Sequence, residues 1–150
     1  MRLVTIATLS ALMCQAFNVG AAPTGTDVGA PPVIIAGLKA YESGGPEGAI
    51  KAWLKGSPIE GAKEAVTLVT SLRGIEDLLG KYQSSRIAKR LPFAPDCELT
   101  YVQMNYAKGP LFAKFLTYKI GQDWVVEILR FHSDPDQVWP WDLLSPSPQK

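Results

Sequence analysis

The chain has 150 residues, with 15 Lys and Arg against 14 Asp and Glu and 47% hydrophobic residues. So even a balance, a formal charge of +1, gives no general electrostatic pull toward nucleic acid or an anionic membrane surface, and neither is expected as a partner. The cysteines, Cys14 and Cys97, are too far apart for a zinc-type pair.

Arg2 precedes an apolar run from Leu3 to Phe17, and Val19-Gly20-Ala21 then offers small residues where a signal peptidase cuts. Residues 1–21 therefore read as a secretory signal peptide, which implies a secreted or periplasmic protein. The run falls short of the ~20 apolar residues of a spanning helix, so no stable membrane insertion is expected after cleavage. Met13 is larger than the residue a lipoprotein cleavage site prefers before its cysteine, which argues against lipidation at Cys14. Cleavage takes Arg2 and leaves 14 basic residues against 14 acidic ones, because every acid lies downstream. Cys97 is then the remaining thiol in a compartment that permits disulfides, with no intramolecular partner. Asp96 and Glu98 flank it and disfavour its thiolate, so it reads as a partly buried small residue.

Residues 22–31 are rich in Gly, Pro, Thr and Ala and read as a flexible linker. The folded unit is expected over residues 32–144, the size of one domain with one core. Pro32 opens a first helix that places Ile34, Leu38 and Tyr41 on one face and ends at Gly44-Gly45. Pro46 and Glu47 open a short second helix, which presents Ile50, Trp53 and Leu54 and stops at Gly56. The third helix has the clearest start: Ser57 as N-cap, Pro58 in the first helical position and Glu60 three residues after the cap. Its stripe is Ala65, Leu68, Leu72, Ile75 and Leu79, widened by Val66, Val69 and Leu78 until it can lie on a sheet, and Gly80 ends it. Tyr82 to Leu91 reads as an edge strand whose Arg86, Lys89 and Arg90 keep the open edge from pairing, with an anion-binding strip as the functional alternative.

Glu98–Tyr106, Leu111–Ile120 and Trp124–His132 are dense in β-branched and aromatic residues and read as an antiparallel meander. With Lys108-Gly109 as the first loop, Tyr106 faces Leu111, Met104 faces Ala113 and Val102 faces Phe115. With Gly121-Gln122-Asp123 as the second, Phe115 pairs with Leu129, Ala113 with Phe131 and Thr117 with Glu127. A two-residue second loop would instead turn over every side chain of the last strand. One face is then continuous and apolar through Met104, Ala113, Phe131, Val102, Phe115 and Leu129. The other carries Gln103, Lys114 and Arg130 at one end and Tyr101, Leu116, Ile128, Leu99, Tyr118 and Val126 at the other, so both faces hold apolar area that has to be covered. The fold class expected is α+β, with N-terminal helices packed on one face of a C-terminal antiparallel meander.

After His132 there is too much Pro for regular structure. Trp139 and Trp141 are expected to pack back on the domain, and residues 145–150 to form a disordered tail. His132, Asp134 and Asp136 diverge once Pro135 turns the chain, so no metal is expected there. Nothing matches a Ser-His-Asp arrangement or a nucleotide loop, and no cofactor is expected.

The run Pro46-Glu47-Gly48-Ala49-Ile50-Lys51-Ala52-Trp53 after Gly44-Gly45, then a long helix, then a sheet ending in Gly121-Gln122-Asp123-Trp124-Val125-Val126, resembles the nuclear transport factor 2-like superfamily over Pro32 to Ser133. The resemblance implies a cone-shaped α+β fold with helices in the concave side of the sheet. It also implies a cavity between them, which in some relatives binds small molecules or catalyses isomerisation, and pairing through the outer sheet surface in many relatives. The superfamily's catalytic carboxylate and tyrosine have no counterpart motif here, so no catalytic residue is assigned. The sheet also has fewer strands than the fuller members.

Under the register above, Thr100, Thr117 and Glu127 line up across three strands on the helix-facing side and are the candidate ligand-binding residues. A carboxylate in an apolar cavity has its charged form disfavoured and could act as a general base or hold a cationic or hydroxylated ligand; the plainer alternative puts Glu127 at the rim in water. The function expected is a non-catalytic module that binds a small molecule or a protein partner, with a homodimer through the outer sheet face as one form of it. A cavity enzyme of isomerase or hydratase type is the alternative, and an anion binder using Arg86, Lys89, Arg90, Lys114 and Arg130 a third reading. Fold alone does not choose among them.

Overall fold

The computed structural model describes residues 29–140. The signal peptide expected at 1–21, most of the linker, Trp141 and the tail at 145–150 lie outside the described residues. Two helices precede a four-stranded antiparallel sheet, the α+β arrangement expected.

Helix α1 (Pro32–Trp53) is the pair of helices expected around Gly44-Gly45, joined at a sharp break. Gly45 takes φ 59° and ψ −156°, a conformation open to glycine, and Pro46 follows with no N–H to continue the hydrogen-bond ladder. The second half doubles back on the first. A Cβ on Gly48 would lie 2.8 Å from the carbonyl oxygen of Ala40, and one on Gly37 would lie 2.1 Å from the ring of Trp53. Trp53 fills that space, donates from Nε1 to the Ile34 carbonyl at 3.1 Å and sets its ring against Phe115 at 5.1 Å between centroids. Ala30 and Pro31, read as linker, are also buried.

Helix α2 (Lys63–Leu79) begins later than the cap signal indicated. The reciprocal pair forms only in part: the Ile59 N–H donates to Ser57 Oγ at 3.1 Å, but Glu60 Oε2 accepts from the Gly56 N–H at 2.7 Å, while the Ser57 N–H donates to the Leu54 carbonyl. Gly61 then adopts φ 75°, which interrupts the helical path, and the chain restarts at Lys63 without a side-chain cap. Leu72 is buried, and Ala65, Leu68, Val69, Ile75 and Leu79 are half-buried against the core. Val66 and Leu78 face solvent at 67% exposure each, so the stripe is narrower than expected and α2 leans mainly on α1.

Strands β1 (Tyr82–Ala94), β2 (Cys97–Tyr106), β3 (Gly109–Ile120) and β4 (Asp123–His132) follow in the sheet order β1-β2-β3-β4, so the expected edge strand and meander are both present. The first register differs. Tyr106 pairs with Gly109 and Met104 with Leu111, so the loop is Ala107-Lys108 and β3 sits two residues from the expected pairing with β2. The turn is held from outside the hairpin: the Lys108 N–H donates to the Leu79 carbonyl at 2.8 Å and the Ala107 N–H to the Lys81 carbonyl at 3.0 Å. A shift of two preserves which face each side chain takes.

The second register combines both expectations. The loop is Gly121-Gln122, with Ile120 paired to Asp123 and Thr117 to Val126, yet Phe115 still pairs with Leu129 and Ala113 with Phe131. An irregularity between Leu116 and Thr117 reconciles them: Glu127 is the extra residue of a β-bulge and restores the facing of the rest of β4. The pairing of Thr117 with Glu127 is therefore corrected. Val126, expected on the outer face, is fully buried in the core.

The inner face carries Val102, Met104, Leu111, Ala113, Phe115 and Leu129 against α1. After β4, Pro135–Gln137 forms a short 3-10 helix, and Trp139 returns over the outer face. Its indole N–H donates to the Ala113 carbonyl at 3.3 Å, and its ring meets Phe112 at 4.8 Å and Tyr101 at 6.2 Å.

Candidate functional site

Strand alternation places Glu98, Thr100 and Val102 on one side of β2, and that side is the core. Glu98 is 3% exposed. Arg90 on β1 reaches it with two hydrogen bonds, Nε to Oε1 and Nη2 to Oε2, each 2.6 Å. The Ala88 position, where β1 slips against β2, turns Arg90 inward while Arg86 and Lys89 stay outside. The Glu98 carboxylate holds the Arg90 guanidinium above its ordinary pKa through these bonds.

Thr100 and Thr117 are fully buried, and both hydroxyls are spent on Glu98: Thr100 Oγ1 donates to Oε1 at 2.9 Å and Thr117 Oγ1 to the backbone carbonyl at 3.1 Å. Glu127 does not join them. It is exposed, on the wall of an open groove of about 440 Å3 between the start of α2 and β4, with Lys63, Glu64, Thr67 and Leu68 opposite. Between α1 and the sheet, where a cavity was expected, Trp53, Phe115, Leu111, Val102 and Val126 fill the interior. The carboxylate next to the threonines is thus Glu98, which the sequence reading passed over although its alternation with Thr100 and Val102 already placed it inward.

A tyrosine cluster closes the other end of the core. The Tyr106 hydroxyl donates to the Tyr41 hydroxyl at 3.1 Å, and Tyr82 stacks obliquely on Tyr41 at 4.6 Å. Burial pushes Tyr41 up to about 12, with the Tyr106 bond opposing it, and pushes Tyr106 higher still. His132 and Asp134 are engaged locally: the Asp134 N–H donates to His132 Nδ1 at 2.9 Å and the Asp136 N–H to Asp134 Oδ1 at 3.1 Å. Among the described residues no group of His, Cys, Asp and Glu side chains converges on a metal position, and no helix is long and apolar enough to cross a membrane.

The outer face is ordered in crosswise rows. Leu91 pairs with Leu99, Leu99 with Leu116 and Leu116 with Ile128, an aliphatic line across all four strands. One step along the strands, Lys89, Tyr101, Lys114 and Arg130 form the next row, and Arg86, Gln103, Phe112 and His132 the one after. On the opposite side of the aliphatic line, Cys97 and Tyr118 pair in register. Ile128, Tyr118 and Ile120 are 41%, 40% and 56% exposed. The charge of Asp96 and its bond to the Tyr118 hydroxyl raise the pKa of that tyrosine. Arg86 donates to Gln103 Oε1 at 2.8 Å and Gln103 to Asn105 Oδ1 at 2.8 Å, a polar ladder at the far end. Four of the cations read as an anion-binding set, Arg86, Lys89, Lys114 and Arg130, lie on this face; Arg90 lies on the other. Leu91 belongs to the outer surface and was missed, because nothing in the sequence sets the register of β1. No protein-family model, curated protein or solved structure matches the chain.

Proposed function

We propose that the protein is a non-catalytic interaction module whose working surface is the outer face of its sheet. The observation that carries this reading is the aliphatic row Leu91, Leu99, Leu116 and Ile128, bordered by the cations Lys89, Lys114 and Arg130. Apolar area left at a surface with a polar border favours a macromolecular partner. The inner polar groups support the same reading, since Arg90 and Thr100 satisfy the Glu98 carboxylate and the Thr117 hydroxyl is spent on the Glu98 backbone carbonyl. Export to a secreted or periplasmic compartment belongs to the proposal and rests on the apolar run Leu3 to Phe17. Membership of the nuclear transport factor 2-like superfamily also belongs to it and rests on the order of helices and strands.

The test is photo-crosslinking in the native cell with a benzoylphenylalanine placed at Ile128, and separately at Tyr118, against a control at Val66 on α2. Protein adducts at the sheet positions and none at Val66 are expected. No protein adduct at either sheet position would remove the proposal.

A further inference from the structure

We infer that the partner meets this face with an acidic amphipathic α-helix, laid across the strands along the row Leu91, Leu99, Leu116 and Ile128. The inference rests on the function proposed above and names the chemistry of the partner.

Charge is sorted unevenly over the molecule. The aliphatic row and the two rows next along the strands hold Lys89, Lys114, Arg130 and Arg86, and no Asp or Glu stands in any of them. Lys89 and Arg130 are exposed and Lys114 is half-buried. On α1 and α2, by contrast, acids and bases are interspersed, and Glu47 pairs with Arg73. A chain with a formal charge of only +1 therefore presents one cationic face, and an apolar strip beside cations selects a partner of the opposite sign.

The spacing of the row selects a helix. Neighbouring strands stand about 4.8 Å apart, so the four aliphatic positions span roughly 14 Å. A helix advances about 5.4 Å per turn, so its residues i, i+4, i+7 and i+11 cover roughly 16 Å and meet one strand each. An extended segment on the same line steps about 6.8 Å between residues of one side and overshoots by the third strand. Apolar faces of helices dock on apolar strips in this way.

The cation row lies two residues along the strands from the aliphatic row, about 7 Å away. A helix about 10 Å across with its side chains brings one flank over Lys89, Lys114 and Arg130. Asp or Glu belongs on that flank alone. The opposite flank comes over Cys97 and Tyr118, where Asp96 is bonded to the tyrosine hydroxyl. Trp139 stands over Phe112 and Tyr101, beyond the aliphatic row, and leaves a strip for a rod where a flat surface would strike it.

The probe is a synthetic amphipathic peptide with Leu at i, i+4, i+7 and i+11 and Glu along one flank. It is titrated into the full chain by fluorescence anisotropy, beside a scramble of the same composition and a twin carrying Lys in place of Glu. The Glu peptide is expected to bind at least about tenfold tighter than either control, and more weakly as salt rises. Arg130→Glu and Lys89→Glu, at exposed positions, are each expected to weaken it about tenfold, and the double variant to prefer the Lys twin. Benzoylphenylalanine at Ile128 is expected to link to the Glu peptide, and at Val66 not to. If a variant misfolds, the parent chain with the three peptides carries the test.

Equal affinity for the scramble, binding that ignores both charge reversals, or no binding would each overturn the inference. A dimer in sedimentation equilibrium that the Glu peptide leaves intact would assign the face to a second copy and overturn it. Uptake on phosphatidylglycerol vesicles that the peptide does not compete would assign the face to a lipid surface, with the same consequence. If Ile128 photo-adducts to proteins form in the cell while the Glu peptide fails to bind, the interaction module survives and its acidic helix does not.

Discussion

The Arg90 guanidinium and the Glu98 carboxylate meet across β1 and β2 through two parallel N–H···O bonds of 2.6 Å, the arginine partly in water and the carboxylate almost wholly out of it. This asymmetry decides which partner is costlier to lose. Arg90→Met leaves a buried carboxylate unpaired and is expected to cost about 3–5 kcal/mol, whereas Glu98→Gln leaves a guanidinium that can rehydrate and is expected to cost less. Arg90→Lys supplies a single point charge for a two-point contact and should fall between them. Urea unfolding of the three variants checks the order, and equal midpoints would contradict it.

Gly37 and Trp53 make the second prediction. The indole occupies the space a methyl group at position 37 would need. Gly37→Ala is therefore expected to destabilise by about 3 kcal/mol through overpacking. Trp53→Leu should make the same change far cheaper, so a double-mutant cycle in thermal unfolding should show strong coupling. Additive effects would mean that the two residues do not share the space.

The bulge at Glu127 gives a third. Removing the residue outright joins Val126, paired with Thr117, directly to Ile128, paired with Leu116, and leaves every other pairing of β4 in place. Deletion is expected to cost no more than about 1 kcal/mol, and Glu127→Gln to stay within about 0.5 kcal/mol of the parent. Cross-strand amide contacts by NMR would report whether Phe115 still faces Leu129 in the deletion variant.

Alkaline pH provides a fourth. Tyr41 keeps its proton in the fold until about 12, against an ordinary 10.0, and Tyr106 keeps its own longer. The unfolded chain releases these protons near 10, so stability is full below that pH and is lost as pH rises toward and past 12. The unfolding midpoint should fall over this window, and Tyr41→Phe should flatten the fall. Tyrosinate absorbance titrated on the folded chain would show Tyr41 and Tyr106 releasing their protons late.

The strands and the first helices were legible in the sequence because their signals are local: alternation in β2 and β3, Gly44-Gly45 before Pro46, Gly121 after Ile120. The start of α2 was misplaced by its cap signal, because Ser57 and Glu60 make their bonds in a turn that Gly61 then breaks. The registers needed tertiary information. The Ala107-Lys108 loop is chosen by the end of α2, and the bulge at Glu127 appears only when both the two-residue loop and the core pairing of Phe115 with Leu129 are satisfied. The candidate site inherited that error, since a one-residue difference near Thr117 exchanged Glu127 for Val126. What the residues did announce was a sheet with apolar area on both faces.

The sequence-neighbour order of the sheet has a kinetic side. Successive strands are joined at Pro95-Asp96, Ala107-Lys108 and Gly121-Gln122, so each pairing closes a short loop, and hairpins of this kind form in about 1–10 μs. The costly closure is the one that brings Trp53 to Phe115 and Tyr41 to Tyr106, the latter pair 65 residues apart. During synthesis α1 emerges first, while the strand that receives it is still unmade. The earliest helix therefore carries its apolar side uncovered for longest, and this is the interval in which the nascent chain is most exposed to aggregation.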